Sequence, residues 1–347
     1  MQANLITNRS NIAYLSNFTG TAGFMLLTPT KNYLFTDARY IERAKNTIKK
    51  GIKIIDVTHV FRNPTGLKSQ WHKILNKHKI HTLGIEEDDL TISRFKKFKK
   101  ITPKVKFTNI SGEMETKREI KTAGEIRLIT KSQRINEQVL AEIKKIIRHH
   151  RRTGKKIMET DIVWKIKELG HHFGAEDISF EPIVAFGSHS ARPHHLSGNT
   201  ILKKNDIILI DMGMKYRGYC SDMTRMILPP KPTPKQQKIY NLVLKAQQHA
   251  IKNIRPGMSG KQADTLSRNI IKKAGYGEKY IHSGGHGIGL DIHEIPSLAE
   301  SYGKKIRRNS IITVEPGIYL EGEFGVRIED MILITNSLPL NLTNAPR

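Results

Sequence analysis

Residues 206–225 read DIILIDMGMKYRGYCSDMTR, and their patterning decides the fold. Residues 207–212 are apolar and β-branched, residues 215–218 are polar and end in glycine, and residues 219–226 resume the strand pattern, which predicts a β-hairpin. A turn centred on Tyr216 and Arg217 sets Asp211 directly opposite Asp222. Facing cross-strand residues have Cβ atoms about 5 Å apart, and like charges there are destabilising. A divalent cation between the two carboxylates reverses the sign, because hard oxygen atoms are what such cations bind. The hairpin is therefore read as half of a metal site.

Working outward, a second hairpin repeats the arrangement near the C-terminus, in IITVE (residues 311–315), PGIYLEGEFG (316–325) and VRIEDMILI (326–334). Centred on Gly322, it sets Glu315 opposite Glu329. Between the hairpins lies SGGHGIGLDIHE, where His286 stands among Gly284, Gly285, Gly287 and Gly289. The missing side chains are expected to let the backbone approach a ligand closely. Four carboxylates and one imidazole suit two cations sharing bridging ligands. The glycine run lacks the G-x-G-x-x-G spacing and the lysine-serine of a phosphate cradle.

These motifs carry a family resemblance. D-x-G-x(4)-G-x(3)-D-x-T-R from Asp211 to Arg225, H-x(3)-H-G-x-G-x(3)-H-E from His282 to Glu294, E-P-G-x-Y from Glu315 and G-V-R-I-E-D from Gly325 resemble the pita-bread metallopeptidases of family M24. That group holds methionine aminopeptidase, aminopeptidase P and prolidase. YLSNFTGTAG (residues 14–23) and TDARY (36–40) resemble the creatinase-like non-catalytic domain of the proline-specific members.

The resemblance implies two-metal hydrolysis of the peptide bond before proline. Asp211, Asp222, His286, Glu315 and Glu329 are the implied ligands. Asp211 would bind one metal, His286 and Glu315 the other, and Asp222 and Glu329 both. Mn²⁺ is favoured, with Co²⁺, Fe²⁺ and Zn²⁺ as alternatives. Glu315 is the implied proton carrier. His194, in A-R-P-H-H, and His293, in D-I-H-E, are the implied catalytic and substrate-binding histidines; His282 is read as a further substrate-binding residue of the pocket, and Arg327, on one strand face with Glu329, as holding the carboxylates or the substrate. His189 and His195 are read as ordinary loop residues.

Similar prolidases often place an arginine four residues after the second histidine, where it can meet a dipeptide carboxylate. Ser297 stands there in this chain. The expected activity is therefore an Xaa-Pro aminopeptidase, with a dipeptidase as the alternative and an inactive nucleic-acid- or protein-binding homologue as the remote one. A homodimer is implied by the same resemblance. Asn17 and Ala38 stand where the family often has glycine, away from the chemistry.

The chain has 347 residues, 38% of them apolar, enough for two cores. Residues 1–115 alternate short strands and helices and are read as an α/β domain. Residues 120–347 are read as an α+β domain, an antiparallel sheet covered by helices. Thr122 and Glu125 form a capping box ahead of a periodic helix, Thr233-Pro234 opens another, and residues 259–273 a third. The first ten residues lack an apolar signal core, and no run is long enough to span a bilayer. The single cysteine, Cys220, excludes an internal disulfide and suits a reducing, cytoplasmic compartment. By strand alternation it points the same way as Asp222. The formal charge of +26 is spread along the chain, and without an RNP motif, zinc-finger spacing or aromatic-interleaved basic strip, nucleic-acid binding is disfavoured.

Overall fold

The computed structural model describes residues 1–58 and 64–347, the side chains of residues 64–67 excepted. It divides into two compact units, Met1–Arg118 and Glu119–Arg347.

The first unit is built on one mixed sheet. In chain order it runs β1 (Gln2–Ile6), α1 (Arg9–Ser16), β2 (Phe24–Leu27), β3 (Asn32–Thr36), α2 (Ala38–Thr47), β4 (Ile52–Asp56), α3 (Pro64–Lys77), β5 (Thr82–Ile85), α4 (Ile92–Ile101) and β6 (Lys106–Asn109), and α5 (Glu113–Glu119) reaches the boundary. The sheet order is β4-β3-β2-β1-β5-β6, with parallel pairing at β1–β5, β3–β4 and β5–β6. Trp71 of α3 is fully buried among Phe24, Phe35 and Phe98. Asn17 closes α1 at φ 64°, a left-handed position that favours glycine and that asparagine tolerates, which accounts for the exchange at this site.

The second unit opens with α6 (Ala123–Thr153), capped by the expected Thr122–Glu125 box, and α7 (Glu159–His172). Then follow β7 (Asp177–Ile178), β8 (Ile183–Phe186), β9 (Ile208–Met212), β10 (Met214–Tyr216), β11 (Tyr219–Cys220) and β12 (Met223–Ile227). Two helices come next, α8 (Pro234–Asn253) and α9 (Gly260–Lys273), each with a capping box. The remaining strands are β13 (Gly285–Gly287), β14 (Glu294–Leu298), β15 (Ile311–Val314), β16 (Gly317–Leu320), β17 (Phe324–Arg327), β18 (Asp330–Leu333) and β19 (Leu340–Asn341). Every strand pairing described here is antiparallel, and the strands break into short sheets, β12-β9-β8 and β14-β13-β15-β18-β19 among them. The apolar stripe of α6 packs with α7 on β8, β9 and β12 through Ile135, Val139, Ile143, Val184, Ile210 and Met223. A second core joins α8 to β9, β16 and β17 through Ile239, Val243, Leu209, Ile318 and Val326. No described helix is long and apolar enough to cross a membrane.

The first hairpin departs from expectation by one residue. Its turn is Arg217-Gly218, with φ of 49° and 80°, the two left-handed residues of a tight hairpin whose twist matches its strands. Asp211 consequently faces Thr224, not Asp222, and Lys215 faces Cys220. The ladder also breaks at Ser221 and Asp222, where the Ser221 hydroxyl accepts the Met214 N–H at 3.0 Å. Asp222 leaves the regular ladder there, so strand alternation no longer relates it to Cys220. Cys220 is buried with Ile129, Ile288, Ile311 and Met331. The second hairpin has the expected register. Val314 pairs Asp330 and Gly317 pairs Arg327, which sets Glu315 across from Glu329 on either side of Pro316.

Candidate metal centre

The expected ligand residues come from separate segments that converge. Asp211 is the penultimate residue of β9, Asp222 occupies the break before β12, His286 is the centre of β13, Glu315 follows β15, and Glu329 lies between β17 and β18. Three of them, Asp222, His286 and Glu329, present ligand atoms within 4.8 Å of one another. His286 Nε2 stands 3.6 Å from Asp222 Oδ2 and 3.6 Å from Glu315 Oε1. Asp211 is close enough to raise the proton affinity of Asp222, Glu315 and Glu329.

The imidazole is set up as a ligand. Its Nδ1 is 3.0 Å from the Gly287 carbonyl, so that nitrogen carries the proton and Nε2 turns its lone pair toward the carboxylates. Burial drives the His286 pKa down to about 4, which keeps the ring neutral. Two of the flanking glycines are required by strand packing. A Cβ on Gly285 would lie 2.1 Å from the Thr313 carbonyl oxygen, and one on Gly287 would lie 2.2 Å from that of Ile295. Only bare backbone lets β13 fit between its neighbours.

The carboxylates are in electrostatic tension. Asp222 and Glu329 are pushed well above the ordinary carboxylate range, first by burial and then by neighbouring carboxylates. Glu315 is raised to about 7, by burial and by Asp211 against the opposing pull of Arg327. Asp211 Oδ1, Asp222 Oδ1 and Glu329 Oε1 are buried with no hydrogen-bond partner among the described residues. A buried carboxylate oxygen without a partner costs free energy of several kcal/mol if it stays charged. Three such oxygens beside a neutral imidazole nitrogen are a donor set that fits hard or borderline divalent cations.

The second oxygens of Asp211 and Glu329 are held. Arg327 Nη2 donates to Asp211 Oδ2 at 2.6 Å, and the Thr224 hydroxyl donates to Glu329 Oε2 at 2.7 Å while accepting Arg327 Nε at 3.1 Å. Arg327 Nη1 donates to the Tyr319 hydroxyl at 2.8 Å, and that hydroxyl lies 2.8 Å from His282 Nε2. His282 Nδ1 is 2.7 Å from the Ser283 carbonyl, so Tyr319 donates to His282. Burial and Arg327 drive the His282 pKa to about 3. His293 packs its ring edge-on against His286 at 4.4 Å, and His194 is near enough for its charge to disfavour protonation of His282 and His293. Both His194 and His293 are exposed.

Sequence reasoning missed Thr224, Tyr319 and Thr313. The hydroxyl of Thr313 accepts the His286 N–H at 3.0 Å and lies 3.4 Å from Glu315. Thr224 was within reach, since a hairpin shifted by one residue puts it opposite Asp211. His189 and His195 are also not ordinary loop residues, for both bond to the buried Glu159.

Known proteins agree with this architecture. Among solved structures, an Xaa-Pro dipeptidase from Bacillus anthracis superposes with a TM-score of 0.92 at 35% identity, covering 99% of this chain and 93% of that one. An X-Pro aminopeptidase from Thermotoga maritima gives 0.90 at 33% identity, covering 100% and 96%. The Xaa-Pro dipeptidase of Pyrococcus horikoshii is 34% identical over 100% of this chain and 94% of its own length. Residues 1–120 match the creatinase/prolidase N-terminal domain, and residues 127–336 match metallopeptidase family M24, a family of metal-dependent peptidases whose divalent ions the carboxylate and imidazole donors suit. The chain belongs to metallopeptidase family M24, with a creatinase/prolidase N-terminal domain ahead of its peptidase domain.

Proposed function

We propose that this chain is an Xaa-Pro aminopeptidase that removes the N-terminal residue from peptides with proline in second position, using two Mn²⁺ ions. Asp211 would hold one ion, His286 and Glu315 the other, and Asp222 and Glu329 both. When bound, the cations act as Lewis acids toward the scissile carbonyl and lower the pKa of water to near neutrality. Glu315 would accept a proton from the attacking water and return it to the proline nitrogen as the bond breaks. His194 and His293 stand exposed beside the ligands, where an imidazole N–H can meet the developing oxyanion. Arg327 holds Asp211 and, through Tyr319, orients His282.

One observation carries the choice of aminopeptidase. Ser297 pairs with His286 across β13 and β14, and a serine there offers no guanidinium to a dipeptide's C-terminal carboxylate, so a longer chain can pass. The dipeptidase reading is favoured in turn by relatives named Xaa-Pro dipeptidase.

Mass spectrometry of Ala-Pro and Ala-Pro-Ala-Ala, incubated with metal-stripped protein with and without Mn²⁺, separates the two. Mn²⁺-dependent loss of alanine from the tetrapeptide with little from the dipeptide supports the aminopeptidase. The reverse makes it a dipeptidase, and cleavage of neither with Mn²⁺, Co²⁺, Fe²⁺ or Zn²⁺ overturns the catalytic reading.

A further inference from the structure

Adjacent histidines between β8 and β9 face opposite ways. His194 is exposed, whereas His195 is buried, and its Nε2 lies 2.9 Å from Glu159 Oε2. Glu159, the first residue of α7, has a relative exposure of 0% and no lysine or arginine partner among the described residues. Its carboxylate instead accepts four groups, all from residues 186–198. The Phe186 N–H donates to Oε1 at 2.9 Å, and His189 Nδ1 meets the same oxygen at 2.8 Å. The Gly198 N–H donates to Oε2 at 2.9 Å, beside His195. One side chain thus ties both ends of the loop.

The opposite side of the loop touches the catalytic hairpin. The Gly325 N–H donates to the Ser190 hydroxyl at 2.9 Å, and Arg327 Nη1 points at the Pro193 carbonyl at 3.4 Å. Residue 194 therefore sits between an anchor on α7 and the strand that holds Asp211 through Arg327. Burial alone would raise the Glu159 pKa, yet the hydrogen bonds, His195 foremost, hold it below the usual carboxylate value. The ring nitrogens and carboxylate oxygen lie within 4.8 Å of one another, but each is spent on these hydrogen bonds, which makes the cluster an anchor and not a second cation site.

We infer that Glu159 is a positioning residue: through His189, His195 and the two loop amides it fixes the loop that turns His194 toward the metal ligands. The inference rests on the hydrolytic role proposed for His194. A carboxylate can accept from all four donors, whereas a glutamine turns an NH₂ toward one pair of them. Misplacement of a catalytic group by about 1 Å can cost up to ~100-fold, so a partial loss is expected from Glu159→Gln.

The test uses the full chain, loaded with Mn²⁺ and assayed on Ala-Pro-Ala-Ala. Glu159→Gln is expected to lower kcat about tenfold with KM and bound Mn²⁺ unchanged. The same substitution in a His194→Ala background is expected to lower the residual kcat less than about twofold, because interacting residues are not additive. Equal losses in both backgrounds, or full activity of His194→Ala alone, would overturn the inference. Hydrogen exchange of the metal-free protein gives a second readout that needs no activity. Amides of residues 186–198 should exchange faster in Glu159→Gln while those of α8 stay protected, and either unchanged or uniformly lost protection refutes the anchor. If the wild-type chain cleaves neither peptide, the hydrolase reading falls with the catalytic half of this inference, and the exchange pattern alone decides whether Glu159 holds the loop.

Discussion

Stripping the metals should turn the candidate centre into a proton store. Glu315 is raised from an ordinary 4.5 to about 7, a shift of about 2.5 units, or roughly 3 kcal/mol against the ionised form. At pH 6 the metal-free Glu315 is then about 90% protonated and at pH 8 about 10%. Cation binding requires the carboxylate, so Glu315 alone releases about 0.9 proton per site at pH 6 and about 0.1 at pH 8. Asp222 and Glu329, shifted in the same direction, add to the release, and His286, driven down to about 4, adds almost none. Calorimetric titration of Mn²⁺ into metal-free protein, in two buffers of different ionisation enthalpy, measures the number directly. Release of less than half a proton at pH 6, with apparent affinity flat from pH 5.5 to 7, would refute the electrostatic account. The stability sign follows. A carboxyl whose folded pKa is raised contributes stability below its unfolded pKa and loses it as pH climbs through the folded value. Glu315 alone should therefore cost the metal-free protein roughly 3 kcal/mol between pH 4.5 and 7.5, with Asp222 and Glu329 adding loss of the same sign, and the metal-saturated protein should not show it.

Three further outcomes are expected. Arg225→Met breaks a buried pair with Asp330 at 2.7 Å, a change worth about 3–5 kcal/mol. At ~2.1 cal/mol/K per residue over the roughly 230 residues of the second unit,, Tm should fall by about 6–10 °C, and a fall under 2 °C in a calorimetric scan would contradict the burial argument. Ser297→Arg restores a cation at the position facing His286 and should move the Ala-Pro to Ala-Pro-Ala-Ala ratio of kcat/KM toward the dipeptide by about tenfold, the scale of one charge-assisted hydrogen bond; an unchanged ratio removes Ser297 from the specificity argument. Cys220 is buried, with burial pushing its thiol up to about 11. A disulfide reagent at pH 8 should label it only at the rate of unfolding, so fast stoichiometric labelling of the folded protein would show that its packing is misjudged.

Much of this was legible in sequence because it rests on local chemistry. The caps at Thr122, Thr233 and Ser259 sit where their side chains satisfy helix N–H groups, and the second hairpin's register followed from one glycine. The first hairpin slipped because Arg217 takes a left-handed conformation that residue type alone does not announce. A one-residue shift changes every facing pair, so Asp222 comes near His286 and Glu329 from a break in the ladder and not by facing Asp211. Glu159 was invisible for a different reason. A glutamate in the first turn of a helix is ordinary, and its partners lie 27 to 39 residues away. Only the closed loop shows that one carboxylate satisfies them all.

The strands around the centre carry two sets of side chains with separate tasks. Thr224 turns toward the carboxylates and bonds Glu329, while Arg225, its neighbour, turns the other way to Asp330. The alternation recurs where Glu329 enters the centre and Asp330 does not. Arg225 Nη1 also donates to the backbone carbonyls of Thr224 at 3.0 Å and Glu329 at 2.6 Å. A buried guanidinium on the reverse face thus pins the main chain at the two residues whose side chains meet on the working face. Period-two alternation makes this arrangement economical, since adjacent letters of T-R and of E-D serve opposite sides of one layer. The carboxylates on the working face repel one another and leave oxygens without partners, so they cannot hold their own strands in register. The ion pair behind them can, which explains why the site tolerates its electrostatic tension before any cation arrives.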